Sequence, residues 1–188
     1  RCMLAYSTRY QSHYKYVFDC AKSGDFGEIK NLFISRKSSK IFSSSDIVNN
    51  LISQDIDFMV KLLGLPLNFT CANSMQDYAC FTFKYENIIA VIEGSTNMHD
   101  NYPFSTYQSI SGNLKSLDLQ WKFINRPEYK MIKRSADNEE DIIVVDYDPY
   151  QKELEEILKN INNRNNDADI SSILDSAQLT FRCRDRMK

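Results

Sequence analysis

The sequence predicts an α+β fold in which helices pack on one face of an open, largely antiparallel β-sheet. Two observations predict this class. Apolar residues recur at helical spacing near the two ends of the chain, within residues 10–22, 46–63 and 150–182. The middle, residues 68–145, consists of short β-type runs separated by turn residues. Because 188 residues suffice for one buried core but not for two ordinary enzyme domains, we expect residues 1–188 to form a single domain.

The first part of the chain is predicted to hold a strand, a helix and a second strand. Residues 3–7 are expected to form a short strand that leads into the helix over residues 10–22. Gly24 and Gly27 end this helix. Apolar residues then stand among polar ones over residues 28–37, which indicates a strand.

The second helix is predicted to begin after three serines at positions 43–45, because serine is a good N-cap residue. Asp46 lies in its first turn, and the helix runs to Leu63. Gly64 and Pro66 then end it.

The middle of the chain predicts a meander of strands. Residues 77–85 and 88–95 flank Glu86 and Asn87, which indicate the tight turn of a hairpin. Further strands are predicted at residues 102–110, 114–123, 129–133 and 142–145. Two final helices are predicted at residues 150–161 and 170–182.

A sheet with helices on one side leaves its other face without a partner. Aromatic side chains of the predicted strands suggest that part of this face is buried between subunits. These side chains are Tyr78, Phe81, Phe83, Tyr85 and Trp121. We therefore expect a homodimer or larger oligomer that associates through the uncovered sheet face.

The composition argues against two classes of partner. Twenty-three Lys and Arg against 25 Asp and Glu give a formal net charge of -2, so no long-range field attracts nucleic acid or an anionic membrane. No apolar stretch approaches the roughly 18 residues of a membrane span, and the start of the chain lacks the pattern of a signal peptide. We expect a soluble protein without nucleic-acid or membrane partners.

The chain has five widely spaced cysteines without a CxxC pair. They are Cys2, Cys20, Cys71, Cys80 and Cys183. Their odd number and mostly apolar neighbours favour free thiols in a reducing compartment over disulfides. The expected location is therefore the cytoplasm.

Standard catalytic motifs are absent from the sequence, which has no GxGxxG, GxxxxGK[ST], HExxH or GxSxG. The two histidines, His13 and His99, are not at ligand spacing from Cys, Asp or Glu, so no metal site is expected. Since no Gly-rich turn leads into a helix, we expect no dinucleotide to bind this chain alone.

One predicted helix carries a polar stripe. Asn50, Gln54, Asp57 and Lys61 are spaced by four, three and four residues, which places them on one side of the helix. The stripe has two interpretations. It is either the solvated face of an ordinary amphipathic helix or the wall of a site.

Four segments, in order, resemble the C-terminal domain of the Gfo/Idh/MocA oxidoreductases. The segments are TRYQSHYKYVFDCAKSGDFGEIKNLFISRKS (8–38), NLISQDIDFMVKLLG (50–64), DYACFTFKYENIIAVIEGSTN (77–97) and DPYQKELEEILKNI (148–161). The resemblance implies a fold like the C-terminal domain of dihydrodipicolinate reductase. It also implies a nucleotide-binding Rossmann domain that precedes this one in a longer protein, and we expect the chain, which begins at Arg1 rather than Met, to be a fragment of that protein.

The same resemblance implies function. The parent protein is expected to be an NAD- or NADP-dependent oxidoreductase that acts on a sugar, a polyol or a related hydroxyl compound. The family's catalytic Asp and His fall on Asn50 and Gln54, and its substrate contacts fall near Arg36 and Lys37. Neither amide can accept or release a proton near neutral pH, so the usual proton relay is absent.

Two alternatives stay open. The parent is either an enzyme with substrate held by these residues, or a catalytically degenerate relative that uses the scaffold for binding or assembly. A third possibility is that the chain is an unrelated sheet-forming interaction protein.

Overall fold

The structure is a computed structural model that describes residues 7–39, 46–145, 147–163 and 167–187. Within these residues lie eight strands and four α-helices. The strands are β1 (Ile29–Ser39), β2 (Asn68–Met75), β3 (Tyr78–Lys84), β4 (Ile89–Met98), β5 (Phe104–Gly112), β6 (Ser116–Phe123), β7 (Pro127–Arg134) and β8 (Glu139–Ile142). The helices are α1 (Ser12–Lys22), α2 (Ser53–Leu63), α3 (Pro149–Asn163) and α4 (Asp167–Asp185), with a 3-10 helix at Ser7–Tyr10 and a π-helical segment at Val48–Ile52.

The described strands form one sheet in the order β2-β3-β4-β1-β5-β6-β7-β8. β1 pairs in parallel with β4 and antiparallel with β5, and the remaining pairs are antiparallel. The parallel pair arises because α2, β2 and β3 lie between β1 and β4 in the chain. The predicted class, an α+β fold with an open and largely antiparallel sheet, is confirmed.

Alternation along β1 separates the two faces of the sheet. Leu32, Ile34 and Arg36 are buried on the face that the helices cover, whereas Phe33 and Ser35 belong to the opposite, open face. Large side chains that are fully buried form the core between helices and sheet. They include Val17, Phe26, Ile56, Met59, Phe81, Phe83 and Ile92. Burying each side chain of this size contributes roughly 1.5–3 kcal/mol.

A glycine allows the π-helical segment before α2 to approach β4 closely. A Cβ atom at Gly94 would lie 2.5 Å from Cγ2 of Ile52, which no larger residue tolerates without a shift. At its other end, α2 stops at Gly64, whose φ of 78° lies in the left-handed region. The Gly64 N–H donates to the carbonyl of Val60 at 2.8 Å.

Several boundaries differ from the prediction. The hairpin of β3 and β4 is confirmed, but β2 has no counterpart among the predicted strands, and β8 lies a few residues earlier than predicted. The predicted second helix is partly π-helical. Of the strand predicted at residues 3–7, residues 3–6 lie outside the described residues, and Ser7 begins the 3-10 helix. The serines at positions 43–45 also lie outside the described residues.

The aromatic residues expected on the open face lie mostly on the covered face. Phe81 and Phe83 are fully buried under the helices, and Tyr85 is 8% exposed. Trp121 shares the side of Leu119, which is also on the covered face. Of the five aromatic residues, Tyr78 lies on the open face, where its hydroxyl contacts Glu93. That part of the sequence interpretation is therefore corrected.

Candidate functional site

Arg36, a predicted substrate contact, forms an ion pair with Asp55 of α2 through two hydrogen bonds. Its Nε donates to Oδ2 at 2.7 Å and its Nη2 donates to Oδ1 at 2.6 Å. The exposed fractions of the two side chains are 7% and 0%. Burial acts to lower the pKa of Arg36, but the Asp55 carboxylate outweighs it and raises that pKa above the usual range. The guanidinium therefore stays charged.

A pocket of about 140 Å³, here called the inner pocket, opens beside this ion pair on the covered face. It is lined by Thr8, Gln11, His13, Tyr14, Arg36, Gln54, Phe104, Thr106, Leu119 and Trp121. The 3-10 helix, α1, α2 and strands β1, β5 and β6 supply these residues. Polar hydrogen-bonding groups and aromatic rings thus meet in a small space, which is the usual composition of a small-molecule site.

Polar groups of the inner pocket are only partly satisfied by the protein. Tyr14 accepts a hydrogen bond from Nε2 of Gln108 at 2.9 Å. Burial, the largest cause, raises the pKa of Tyr14 to about 12, so its phenol stays neutral near physiological pH. The Thr8 hydroxyl is buried and has no hydrogen-bond partner among the described residues. Leaving such a group unpaired costs about 1–3 kcal/mol.

The structure separates the two amides that the sequence places at the family's Asp and His positions. Gln54 is half-buried and lines the inner pocket. Asn50 is exposed and does not line it. Asn50 lies in the π-helical segment, whose wider turn changes the angular spacing of neighbouring residues, so a separation of four no longer aligns the two side chains.

Lys37, the second predicted substrate contact, does not line the inner pocket with Arg36. Consecutive residues of a strand alternate between faces, so Lys37 belongs to the open face while Arg36 belongs to the covered one. Lys37 is half-buried and pairs in register with Ser95 of β4 and Ser105 of β5.

A second buried ion pair fixes α2 from the other side. Arg9 donates from Nε to Oδ2 of Asp57 at 2.7 Å and from Nη2 to Oδ1 at 2.5 Å. Its Nη1 donates to Oγ of Ser172 in α4 at 3.1 Å. Asp57 is fully buried, so the polar stripe is not simply a solvated face. Neither Arg9 nor Asp57 lines the inner pocket.

The sequence interpretation overlooked Tyr14 and Thr8 as pocket residues and Asp55 as the partner of Arg36. A signal for Asp55 exists in the sequence, because it stands two residues from Asp57 in an apolar helix. Two carboxylates on different sides of a buried helix require cationic partners. Nothing in the sequence marks Thr8 or Tyr14 in this way.

A larger space, here called the outer cleft, lies beside the inner pocket and measures about 710 Å³. It is lined by Gln11, His13, Trp121, Phe123, Pro127, Tyr129, Tyr147, Asp148, Pro149 and Tyr150. The two spaces share Gln11, His13 and Trp121 and are therefore adjacent. Its size falls in the range of sites that hold small organic molecules.

Within the described residues, no cluster of three or more His, Cys, Asp or Glu could hold a metal ion. The described helices include none with the length and apolar character needed to cross a membrane.

This chain is similar to known proteins in its structure. No protein-family profile and no curated protein matches the sequence. A candidate NADPH-dependent oxidoreductase of Desulfitobacterium hafniense shares the fold, with a TM-score of 0.82 and 13% identity over 98% of this chain and 62% of that protein.

Two further enzymes are also similar in structure. The UDP-N-acetylglucosamine 3-dehydrogenase GnnA of Acidithiobacillus ferrooxidans gives a TM-score of 0.74 at 15% identity over 96% of this chain and 59% of that protein. A variant of KijD10, a 3-ketoreductase of Actinomadura kijaniata in complex with TDP-benzene and NADP, gives a TM-score of 0.73. The identity is 12% over 97% of this chain and 60% of that protein.

The chain therefore has the fold found in oxidoreductases of the Gfo/Idh/MocA type, as the resemblance implied. It spans about three fifths of the length of these structures.

Proposed function

We propose that this chain is the substrate-binding half of an NAD- or NADP-dependent oxidoreductase that acts on a sugar, a polyol or a related hydroxyl compound. One observation carries the proposal. Gln54 and Arg36, which the sequence marks as site residues, line the same pocket as Thr8, whose hydroxyl has no hydrogen-bond partner among the described residues. The shared fold with oxidoreductases supports the reaction class, and the NADP in the KijD10 complex supports the cofactor.

Arg36 and Gln54 are suited to hold a hydroxyl group but not to accept its proton. Oxidation of an alcohol moves a hydride to the nicotinamide and a proton to a base. The Gln54 amide donates and accepts hydrogen bonds but does not titrate near neutral pH. Arg36 uses Nε and Nη2 for Asp55, which leaves Nη1 for another acceptor such as Tyr14 or a substrate oxygen. The base is a lysine of the Rossmann domain that the resemblance implies.

A second candidate is a catalytically degenerate relative that binds or assembles without turnover. Its support is the replacement of an Asp and a His by Asn50 and Gln54, together with the position of Asn50 outside the inner pocket.

Cofactor reduction by the full-length protein, screened with polyols and sugars, separates the two candidates. Turnover should be slow unless that lysine replaces the missing base, because loss of a positioned general base typically costs about 100-fold to 10,000-fold in rate. The Gln54→His variant, alone and with Asn50→Asp, should raise that rate. Gln120→His, on the exposed part of β6, is the matched control and should leave it unchanged. No turnover in any variant would favour the assembly module.

The nucleotide-binding function is assigned to the other half of the parent. Calorimetry of this chain with NAD and NADP should show no binding. Micromolar affinity for either dinucleotide would contradict the assignment of this chain as the substrate-binding half.

The open face of the sheet is the proposed contact between subunits. It carries Phe33 in ring contact with Tyr107, and Tyr78 beside Glu93. Sedimentation at tens of micromolar should report a dimer or larger species, and a strictly monomeric particle would contradict this contact. A cytoplasmic location is also proposed, supported by the free thiols of Cys20, Cys80 and Cys183.

A further inference from the structure

The outer cleft has aromatic rings on one side, supplied by the covered face of β6 and β7. Trp121 pairs in register with Tyr129, and Phe123 pairs with Pro127, so these side chains share that face. The Trp121 and Phe123 rings are inclined by 28° with centroids 6.3 Å apart, and the His13 ring lies 5.6 Å from Tyr129. Phe123 is 47% exposed, and Trp121 and Tyr129 are half-buried, so ring surface is accessible to a ligand.

The segment that leads into α3 supplies the other side of the outer cleft. It contributes the rings of Tyr147 and Tyr150 and the carboxylate of Asp148. Oδ1 of Asp148 accepts a hydrogen bond from the backbone N–H of Tyr150 at 2.9 Å, which holds the carboxylate at the beginning of the helix. Because this bond uses one of the two carboxylate oxygens, Asp148 caps the helix and still provides a negative charge to the cleft.

The charges around the outer cleft favour a cationic ligand. Among the described residues that line it there is no Lys or Arg, so no cation of the lining balances Asp148. Outside the lining, Nζ of Lys152 lies 5.9 Å from the centre of the Tyr147 ring, so one ring of the cleft already attracts a cation. Lys152 is itself paired with Glu155 at 2.6 Å, which reduces its repulsion of a cationic ligand.

Aromatic faces and a carboxylate are together suited to a quaternary ammonium group. The face of an aromatic ring attracts a cation within about 6 Å of its centre. A primary ammonium has three N–H donors that need acceptors when water is removed, whereas a quaternary ammonium has none and presents apolar methyl groups to the rings. We propose that the outer cleft binds a quaternary ammonium group between the rings of Trp121 and Phe123 and the carboxylate of Asp148. This site goes beyond the proposed function and does not depend on it.

Choline and its neutral analogue 3,3-dimethylbutan-1-ol test whether the cleft recognises charge, because the two molecules have nearly the same shape. Trp121 is the only tryptophan of the chain, so its indole N–H gives a single NMR resonance that reports on the cleft. We expect saturable shifts with choline and a dissociation constant on the order of 1 mM. The neutral analogue should bind at least about tenfold more weakly. Ethanolamine, a primary ammonium, should also bind more weakly than choline.

Two variants with matched controls test whether choline binds in the cleft. Asp148→Asn removes the charge but keeps a good N-cap residue, so it should weaken choline binding at least about threefold and leave the neutral analogue unaffected. Asp137→Asn, in the exposed turn between β7 and β8, is its control and should change neither affinity. Phe123→Leu keeps an apolar side chain without an aromatic face and should weaken choline binding about threefold. Phe33→Leu, on the open face, should not change it. Circular dichroism establishes that each variant is folded.

Four results would overturn this site. Equal affinity for choline and the neutral analogue would mean that the cleft does not recognise charge, and tighter binding of ethanolamine would exclude the quaternary class. Unchanged choline affinity in Asp148→Asn or in Phe123→Leu would place the binding elsewhere, and no indole shift with any ligand would mean that the cleft binds none of them. Cofactor reduction by the full-length protein tests the proposed function separately from all four.

Discussion

The two buried arginine–aspartate pairs on either side of α2 have the same bidentate geometry but different surroundings. Arg9 engages all three of its nitrogens within the protein, two with Asp57 and one with Ser172 of α4. Arg36 uses two nitrogens for Asp55 and lies in the wall of the inner pocket. The first pair thus joins three elements of the fold, whereas the second is placed where a ligand could bind.

The difference shows that burial and ion pairing do not identify a functional charge. Both arginines are less than 10% exposed, and both aspartates are fully buried. What distinguishes the two is the inner pocket, which Arg36 lines and Arg9 does not.

The largest effect is expected for Asp57→Asn. It leaves Arg9 charged in a closed environment, so the free energy of unfolding should fall by about 3–5 kcal/mol. Chemical denaturation measures this value. Asp19→Asn is the control, because Asp19 pairs with Lys15 on the exposed side of α1 and should change stability by less than about 0.5 kcal/mol.

The next largest effect is expected in the pH dependence of stability, through Tyr14, which lines the inner pocket with Arg36. Burial raises the folded-state pKa of Tyr14 to about 12 from an ordinary value near 10. The contribution of this raised pKa is fully present below pH 10 and is lost as the pH rises through 12. It amounts to about 2–3 kcal/mol. The wild type should therefore lose more stability than Tyr14→Phe between about pH 10 and about pH 12. Equal losses in the two proteins would contradict the raised pKa of Tyr14.

A smaller loss of stability is expected for Asp55→Asn than for Asp57→Asn. Water in the inner pocket can solvate Arg36, so the decrease should be about 1–3 kcal/mol. Denaturation of both variants under the same conditions tests the comparison. Equal losses would mean that water in the inner pocket does not solvate Arg36 and that the two ion pairs contribute equally to stability.

Sequence reasoning captured the features that depend on local periodicity. The β3–β4 hairpin, the end of α2 at Gly64 and the position of α1 follow from turn residues and helical spacing. It assigned the aromatic residues to the wrong face because a period of two shows which residues share a face, not which face the helices cover. Phe81 and Phe83 share a face, and only the packing of the helices shows that it is the covered one.

The candidate site was predicted in part for a similar reason. Arg36 and Gln54 were found through the resemblance, and both line the inner pocket. The position of Asn50 was not predictable, because it depends on a π-helical segment that leaves no clear pattern in the sequence. Thr8, Tyr14 and Trp121 come from distant parts of the chain, and only the tertiary fold brings them together.

The most direct test of the account is a crystal structure of the full-length protein with NAD or NADP and a bound polyol. The account predicts that the nicotinamide faces the inner pocket and that the polyol lies between Gln54 and Trp121. A nicotinamide directed at the open face of the sheet, or a polyol bound away from both residues, would contradict it.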